Sequence, residues 1–238
     1  MNILIIDTET TNGLEQPLPY DIGYQIVDTI SKDVLIERSF VVAEIFLDKE
    51  LMKEAYFADK IPAYWEEIKK KKRTLASIQT IRRIILKDLK TYDVSRVGAY
   101  NMGFDRRSVN NDARYITKSY IRWFFPYNVE FFCIWNMACS SILKTEDFIS
   151  FALENGFVSE KENILTNAEV VYKYITKDLN FSEEHTGLED VKIEAKIYLT
   201  VIESGLEFED SVNSACWRKV QRKRKEIELN QLFGWIEN

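Results

Sequence analysis

The sequence predicts an α/β domain, a mixed β-sheet flanked by α-helices, on three observations. An apolar run, Ile3-Leu4-Ile5-Ile6, opens the chain as a short buried strand. Two strand-like segments follow, separated only by the short turn Ser31-Lys32-Asp33, which fits a hairpin. Beyond residue 74, segments of helical periodicity alternate with short strand-like runs. Hairpins first and alternation afterwards call for both antiparallel and parallel pairing, with helices packed on the sheet.

Each element has its own signal. Residues 2–7 form the first strand, ending in a polar cluster, and residues 21–30 and 33–43 form the second and third. Residues 48–72 read as helical, interrupted near Pro62. Residues 74–90 form an amphipathic helix with Leu75, Ile78, Ile81, Ile85 and Leu89 on one face. A strand over 94–100 leads into a helix from about Phe104, and 129–134 is a further strand. Helices then cover 135–143, 145–155, 167–176 and 187–204, while residues 208–238 carry the weakest pattern.

The bulk properties narrow the function. With 238 residues, 46% of them hydrophobic, the chain can bury one sizeable core. Its longest apolar stretch, residues 131–143, holds Asn136, Ser140 and Ser141 and is too short to span a bilayer. No basic flank marks a signal peptide. Cys133, Cys139 and Cys216 are odd in number and lack C-x-x-C spacing, which fits a reduced, cytoplasmic setting and no zinc site. The net charge of −6 argues against a protein that coats nucleic acid. Basic residues nevertheless cluster at 69–73 and 218–225, where a solvated helix face and phosphate contact are the two readings.

Three segments carry chemistry. Asp7 and Glu9 stand two apart at the end of the first strand, so their carboxylates share a face. Neighbouring acids repel unless a cation lies between them, and hard divalent ions prefer oxygen ligands. Asn101 and Asp105 follow the strand ending at Tyr100, placed to cap the next helix and complement its dipole. The only histidine, His185, precedes Thr186 and Glu189, a capping-box pair that starts a helix. Asp190 is then the fourth helical residue, which places the imidazole beside a carboxylate.

In this order the segments resemble the motifs of the DEDDh 3′–5′ exonucleases, of the proofreading, DnaQ-like type. The first motif, D-x-E, stands as Asp7-Thr8-Glu9; the second, N-x-x-F-D, as Asn101 to Asp105; the third, H-x-A-x-x-D, as His185 to Asp190 with Gly187 in place of alanine. Asn12 intervenes before Gly13, where the family's first motif usually runs directly into glycine. The stretch from Thr166 to Tyr174 also looks like bacterial and phage members. The resemblance spans residues 1–204, an exonuclease domain, and leaves 205–238 as a C-terminal extension packed on or attached to it.

The resemblance implies a ribonuclease H-like fold and two divalent cations, Mg²⁺ or Mn²⁺. Asp7 would bridge both ions, Glu9 and Asp190 would complete their shell, and Asp105 would act directly or through water. One ion activates the attacking water and the other stabilises the leaving 3′ oxygen. His185 is implied as the general base, with an apparent pKa around 6 to 8. Thr8, Thr10 and Asn101 are the candidate contacts to the terminal nucleotide. The implied substrate is nucleic acid with a free 3′ end, DNA favoured, with a DNA polymerase or replication partner acting in trans. An exoribonuclease of the same family is the alternative. A non-catalytic module that binds nucleic acid or a replication partner is the other, disfavoured because all four carboxylates and the sole histidine remain.

Overall fold

Alternation along the first strand organises the molecule. The computed structural model describes residues 1–120 and 122–233. Its elements run β1 (Asn2–Thr11), β2 (Leu18–Asp28), β3 (Val34–Val42), α1 (Ala43–Phe46), α2 (Lys49–Met52), α3 (Ile61–Lys69), β4 (Thr74–Ala76) and α4 (Ile78–Thr91). There follow β5 (Arg96–Ala99), α5 (Met102–Thr117), β6 (Glu130–Cys133), α6 (Ile134–Ser140), α7 (Glu146–Glu154), α8 (Ala168–Thr176), α9 (Gly187–Glu203) and α10 (Trp217–Phe233). The six strands stand in the order β4-β3-β2-β1-β5-β6. β1–β2 and β2–β3 are antiparallel, whereas β1–β5, β5–β6 and β3–β4 are parallel.

Successive strand residues face opposite sides, so β1 feeds two cores. Leu4 and Ile6 join Tyr20, Ile22, Tyr24 and Ile26 of β2 in a core closed by α4 and α5. Ile3 and Ile5 join a second core with α6, α7, α8 and α9. Asp7 and Glu9 continue that second face. Opposite them, in register, stand Gly23 and Asp21 of β2.

Three expectations need correcting. β1 runs on to Thr11, so Asp7 and Glu9 lie inside the strand, with a register shift only after Glu9. Residues 74–76 are an edge strand parallel to β3, and α4 starts after Ser77, whose hydroxyl accepts from the Thr80 amide at 3.2 Å. Pro62 lies in the first turn of α3 rather than interrupting a helix, a place where its missing N–H costs nothing. The chain between α2 and α3 is broken instead by a 3₁₀ turn, Ala58–Lys60.

The two basic clusters separate. Arg73, from the first, is buried and its Nη1 lies 2.6 Å from Asp21 Oδ2. On α10, Lys219, Lys223 and Arg224 pair with Glu209, Glu226 and Glu228 at 2.8, 3.1 and 2.7 Å. Gln221 brackets the Ile164 backbone, accepting from its N–H and donating to its carbonyl, both at 3.0 Å, which fastens α10 to the second core. Cys133, Cys139 and Cys216 are free and buried. No helix among the described residues is long and apolar enough to cross a membrane.

Candidate active site

The start of α9 reaches the sheet because two glycines let backbone touch backbone. A Cβ on Gly23 would lie 2.1 Å from Gly187 C, and one on Gly187 would lie 2.7 Å from Gly23 N. No other residue fits either position without moving the helix. Gly187, where the motif has alanine, is therefore matched to Gly23. This contact brings the segment before α9 over the end of β1. One donor atom each from Glu9, His185 and Asp190 then lie within 4.8 Å of one another.

The expected capping box does not form. The Thr186 hydroxyl is buried without a partner, and Glu189 pairs with Lys192 at 2.7 Å. The α9 N-terminus is capped from another element: Gly187 N donates to Asp21 Oδ2 at 3.0 Å. Asp21 also accepts from Tyr64 Oη at 2.7 Å and is paired to Arg73.

His185 is held on three sides. Its ring stacks on Phe57 at 4.3 Å, with 8° between planes. Lys60 Nζ donates to the carbonyl of Glu184. His185 Nδ1 lies 3.7 Å from Glu183 Oε2, and the Glu183 amide donates to Glu169 Oε2 of α8 at 3.2 Å. His185 itself adopts φ +48°, a left-handed conformation that costs about 1–3 kcal/mol and that these contacts hold in place. Burial and then Lys60 push its pKa below the ordinary 6.5, below the upper part of the window the motif implies.

Asp105 arrives from the opposite layer. It is buried in the first turn of α5, and Thr8 Oγ1 donates to its Oδ1 at 2.8 Å. Thr8, read from sequence as a nucleotide contact, is itself buried, and its hydroxyl positions Asp105. Thr10 is half-buried at the register shift, and its carbonyl accepts from Tyr56 N at 3.3 Å. Asn101 occupies the α5 N-cap, but its side chain makes no capping bond there. Phe104 is half-buried, with Arg107 over its ring.

The electrostatics are one-sided. Burial, then repulsion from Glu194, Asp105, Glu9 and Asp190, holds Asp7 well above the usual carboxylate range. Burial with Asp190 and Asp21 pushes Glu9 up to about 9. Asp105 rises to about 7 by burial, held back by the Thr8 hydrogen bond. Asp190 rises to about 7 by burial, held back by Lys60. Asp7 Oδ2 and Asp190 Oδ1 are closed off from solvent with no hydrogen-bond partner among the described residues. An all-oxygen set of crowded acids with orphaned oxygens is what a hard divalent cation satisfies.

Sequence reasoning missed several neighbours. Glu194 is a further buried carboxylate one turn beyond Asp190, and the i, i+4 spacing on the apolar face of α9 was its available signal. Phe57, Lys60, Asp21, Arg73 and Glu183 gave none, because only the tertiary fold brings them here.

No family model and no curated protein matches this sequence. Solved structures do. The nuclease domain of 3′hExo, a DEDDh family member bound to rAMP, superposes with a TM-score of 0.54 at 13% identity, over 88% of this chain and 96% of that one. A 3′-exonuclease that recognises the 3′ end of a histone mRNA stem-loop gives 0.56 at 14% identity, over 87% and 84%. This chain has the fold of these nucleases. Cell-death related nuclease 4 gives 0.52 at 10% identity, over 88% of this chain and 66% of that one. The mixed six-stranded sheet flanked by helices is thus the ribonuclease H-like exonuclease fold expected from the motifs.

Proposed function

We propose that this chain is a divalent-metal-dependent 3′–5′ exonuclease of the DEDDh type that releases nucleoside 5′-monophosphates from single-stranded nucleic acid. The observation that carries the reading is the convergence of Glu9, Asp190 and His185 within 4.8 Å at the strand that also bears Asp7. Asp7, Glu9, Asp105 and Asp190 would hold the cations. Those cations, two in this reading, would supply charge neutralisation at the scissile phosphate and its leaving oxygen.

The chain's own residues do the rest. Glu183 Oε2 lies 3.7 Å from Nδ1 of His185 and the Glu169 carboxylate favours the imidazolium, leaving Nε2 to take the proton of the attacking water. The P–O3′ bond breaks, giving a 5′-monophosphate and a strand one nucleotide shorter with a 3′ hydroxyl, whose proton comes from solvent. Phe57 and Lys60 keep the imidazole in line by stacking and by anchoring Glu184. Thr8 fixes Asp105.

DNA as substrate, with a polymerase acting in trans, is the reading the proofreading-type motifs support. RNA is the second reading, favoured by the rAMP and histone mRNA named for two structures of this fold. Matched 5′-labelled DNA and RNA strands, incubated with Mg²⁺, Mn²⁺ or EDTA, test both. Metal-dependent shortening from the 3′ end supports the proposal, and the faster strand names the substrate. Cutting of a circular single strand, or no shortening of either strand, overturns it.

A further inference from the structure

We propose that the outward face of α5 is the track along which single-stranded nucleic acid reaches the carboxylate site, with phosphates on Arg107, Arg114 and Lys118 and bases on Tyr115 and Tyr120. The proposal deepens the exonuclease reading and rests on it.

Charge is the first argument. Between residues 101 and 128 the basic side chains are Arg106, Arg107, Arg114, Lys118 and Arg122, and the acids are Asp105 and Asp112 alone. Both acids are buried. A protein of net charge −6 therefore presents a face here with no exposed acid from this segment. Among the described residues, none of these five cations lies within 4.0 Å of a carboxylate. The α10 cluster differs, since Lys219, Lys223 and Arg224 are paired.

Geometry is the second. Arg107, Asn111, Arg114 and Lys118 recur at helical intervals, so they form one stripe. The stripe begins two residues after Asp105, and the helix carries it about 16 Å further, to Lys118, at about 1.5 Å per residue. Two clefts, of about 430 and 250 Å³, lie along it and share Asn111 and Arg114. Asn12 and Gln16, just beyond β1, line the larger one. That wall is tied down: Arg107 Nη2 donates to the Leu14 carbonyl at 3.2 Å and Asn111 Nδ2 to that of Pro17 at 3.3 Å.

The aromatic residues are the third. Arg114 lies over the Trp123 ring at 4.8 Å, and its Nε is enclosed without an acceptor. Lys118 Nζ lies 4.3 Å from the Tyr115 ring. Tyr120 is 92% exposed and Tyr115 42%. Cations interleaved with exposed aromatic rings, of which Tyr120 is the most open, suit a polyanion whose bases are unpaired, because a duplex offers phosphates but no free base faces. DNA and RNA share this chemistry.

The test is binding, read by fluorescence anisotropy in EDTA so that turnover plays no part. Labelled DNA and RNA strands of about twelve nucleotides, and the matching trinucleotides, serve as probes across a salt series. The double variant Arg107→Ala/Lys118→Ala is expected to weaken long-strand binding roughly tenfold or more and to flatten the salt slope by about 1.4, at 0.7 per phosphate contact. Tyr120→Ala is expected to cost roughly 5- to 100-fold, the worth of one stacked base. Trinucleotides are expected to lose less. Arg222→Ala/Lys225→Ala on α10 removes the same charge and is expected to leave binding unchanged. Equal losses from the α5 and α10 pairs, with all variants unfolding at the wild-type temperature, overturn the proposal, since net charge alone would then be at work. So does an unchanged affinity and salt slope in the α5 pair. Binding through α5 without hydrolysis in Mg²⁺ would leave the track standing and remove the exonuclease reading.

Discussion

Asp21, fully buried, and Asp7, half-buried with its Oδ2 closed off, lie on the same face of the same sheet, two β-ladder rungs apart, and their charges are met oppositely. Asp21 is answered from within the protein at its Oδ2, by Arg73 at 2.6 Å, Tyr64 at 2.7 Å and the Gly187 amide at 3.0 Å, while its Oδ1 has no partner among the described residues. Asp7 faces Glu194, Asp105, Glu9 and Asp190, and its Oδ2 has no partner. A buried charge without a partner costs far more than one with an arginine. The first acid serves the architecture, and in the proposed reading the second is answered by a bound cation. Asp88 follows the Asp21 pattern, paired to Arg38 at 2.7 Å and bonded by Tyr24 at 2.6 Å.

The comparison breaks first at Asp7. Asp7→Ala is expected to abolish hydrolysis, measured as release of 5′-monophosphate in Mg²⁺, while metal-free stability stays level or rises, because a repelled carboxylate is gone. Near-normal turnover would detach Asp7 from the chemistry. His185→Ala comes next, at roughly 10²–10⁴-fold in the single-turnover rate. The wild-type rate is expected to rise with pH along one ionisation lying below 6.5, since burial and Lys60 lower this histidine, and to be level through neutrality. Superimposable profiles for the two proteins would take His185 out of the mechanism.

Asp21 sharpens the contrast through stability. Arg73→Met strands a buried carboxylate and is expected to cost about 3–5 kcal/mol in urea denaturation, opposite in sign to Asp7→Ala. A smaller loss is expected from Gly187→Ala. Its Cβ would meet Gly23 N at 2.7 Å, and overpacking of that kind costs about 1–3 kcal/mol. Activity is expected to fall with it, because the shift moves His185 and Asp190 away from β1. Wild-type stability and rate in the Gly187→Ala variant would show that the backbone contact is not needed.

What was legible in the sequence was local. The odd-face pair Asp7 and Glu9, the Asn101–Asp105 helix start and the His185–Asp190 spacing depend on residues five or fewer apart, and the periodicity of α4 and α9 is written in nearby side chains. What was hidden was tertiary. Thr74-Leu75-Ala76 continues the helical pattern of α4, and only edge pairing with β3 makes it a strand. The α9 cap was sought in Thr186 and came from Asp21, on another strand. Arg73 sits in a run of lysines that reads as a solvated face or a phosphate contact, yet it crosses 52 residues to reach Asp21. Phe57 and Lys60 lie in a segment read as helix up to a break near Pro62, and the 3₁₀ turn before it is what presents them to His185.

Proton-linked metal binding tests the central contrast most directly. The site's acids are raised in the folded protein, Asp105 and Asp190 to about 7 and Glu9 to about 9, against about 4 when unfolded. The stability they lend the metal-free fold is therefore complete below pH 4 and is lost as pH climbs through 7 to 9. A cation needs the deprotonated forms, so binding at pH 7 must displace protons. Calorimetric titration of Mg²⁺ or Mn²⁺, repeated in buffers of different ionisation enthalpy, counts them. The account predicts binding with net proton release at pH 7, shrinking towards pH 9.5 and lost in Asp7→Asn. No binding, or binding that neither releases protons nor needs Asp7, would contradict it.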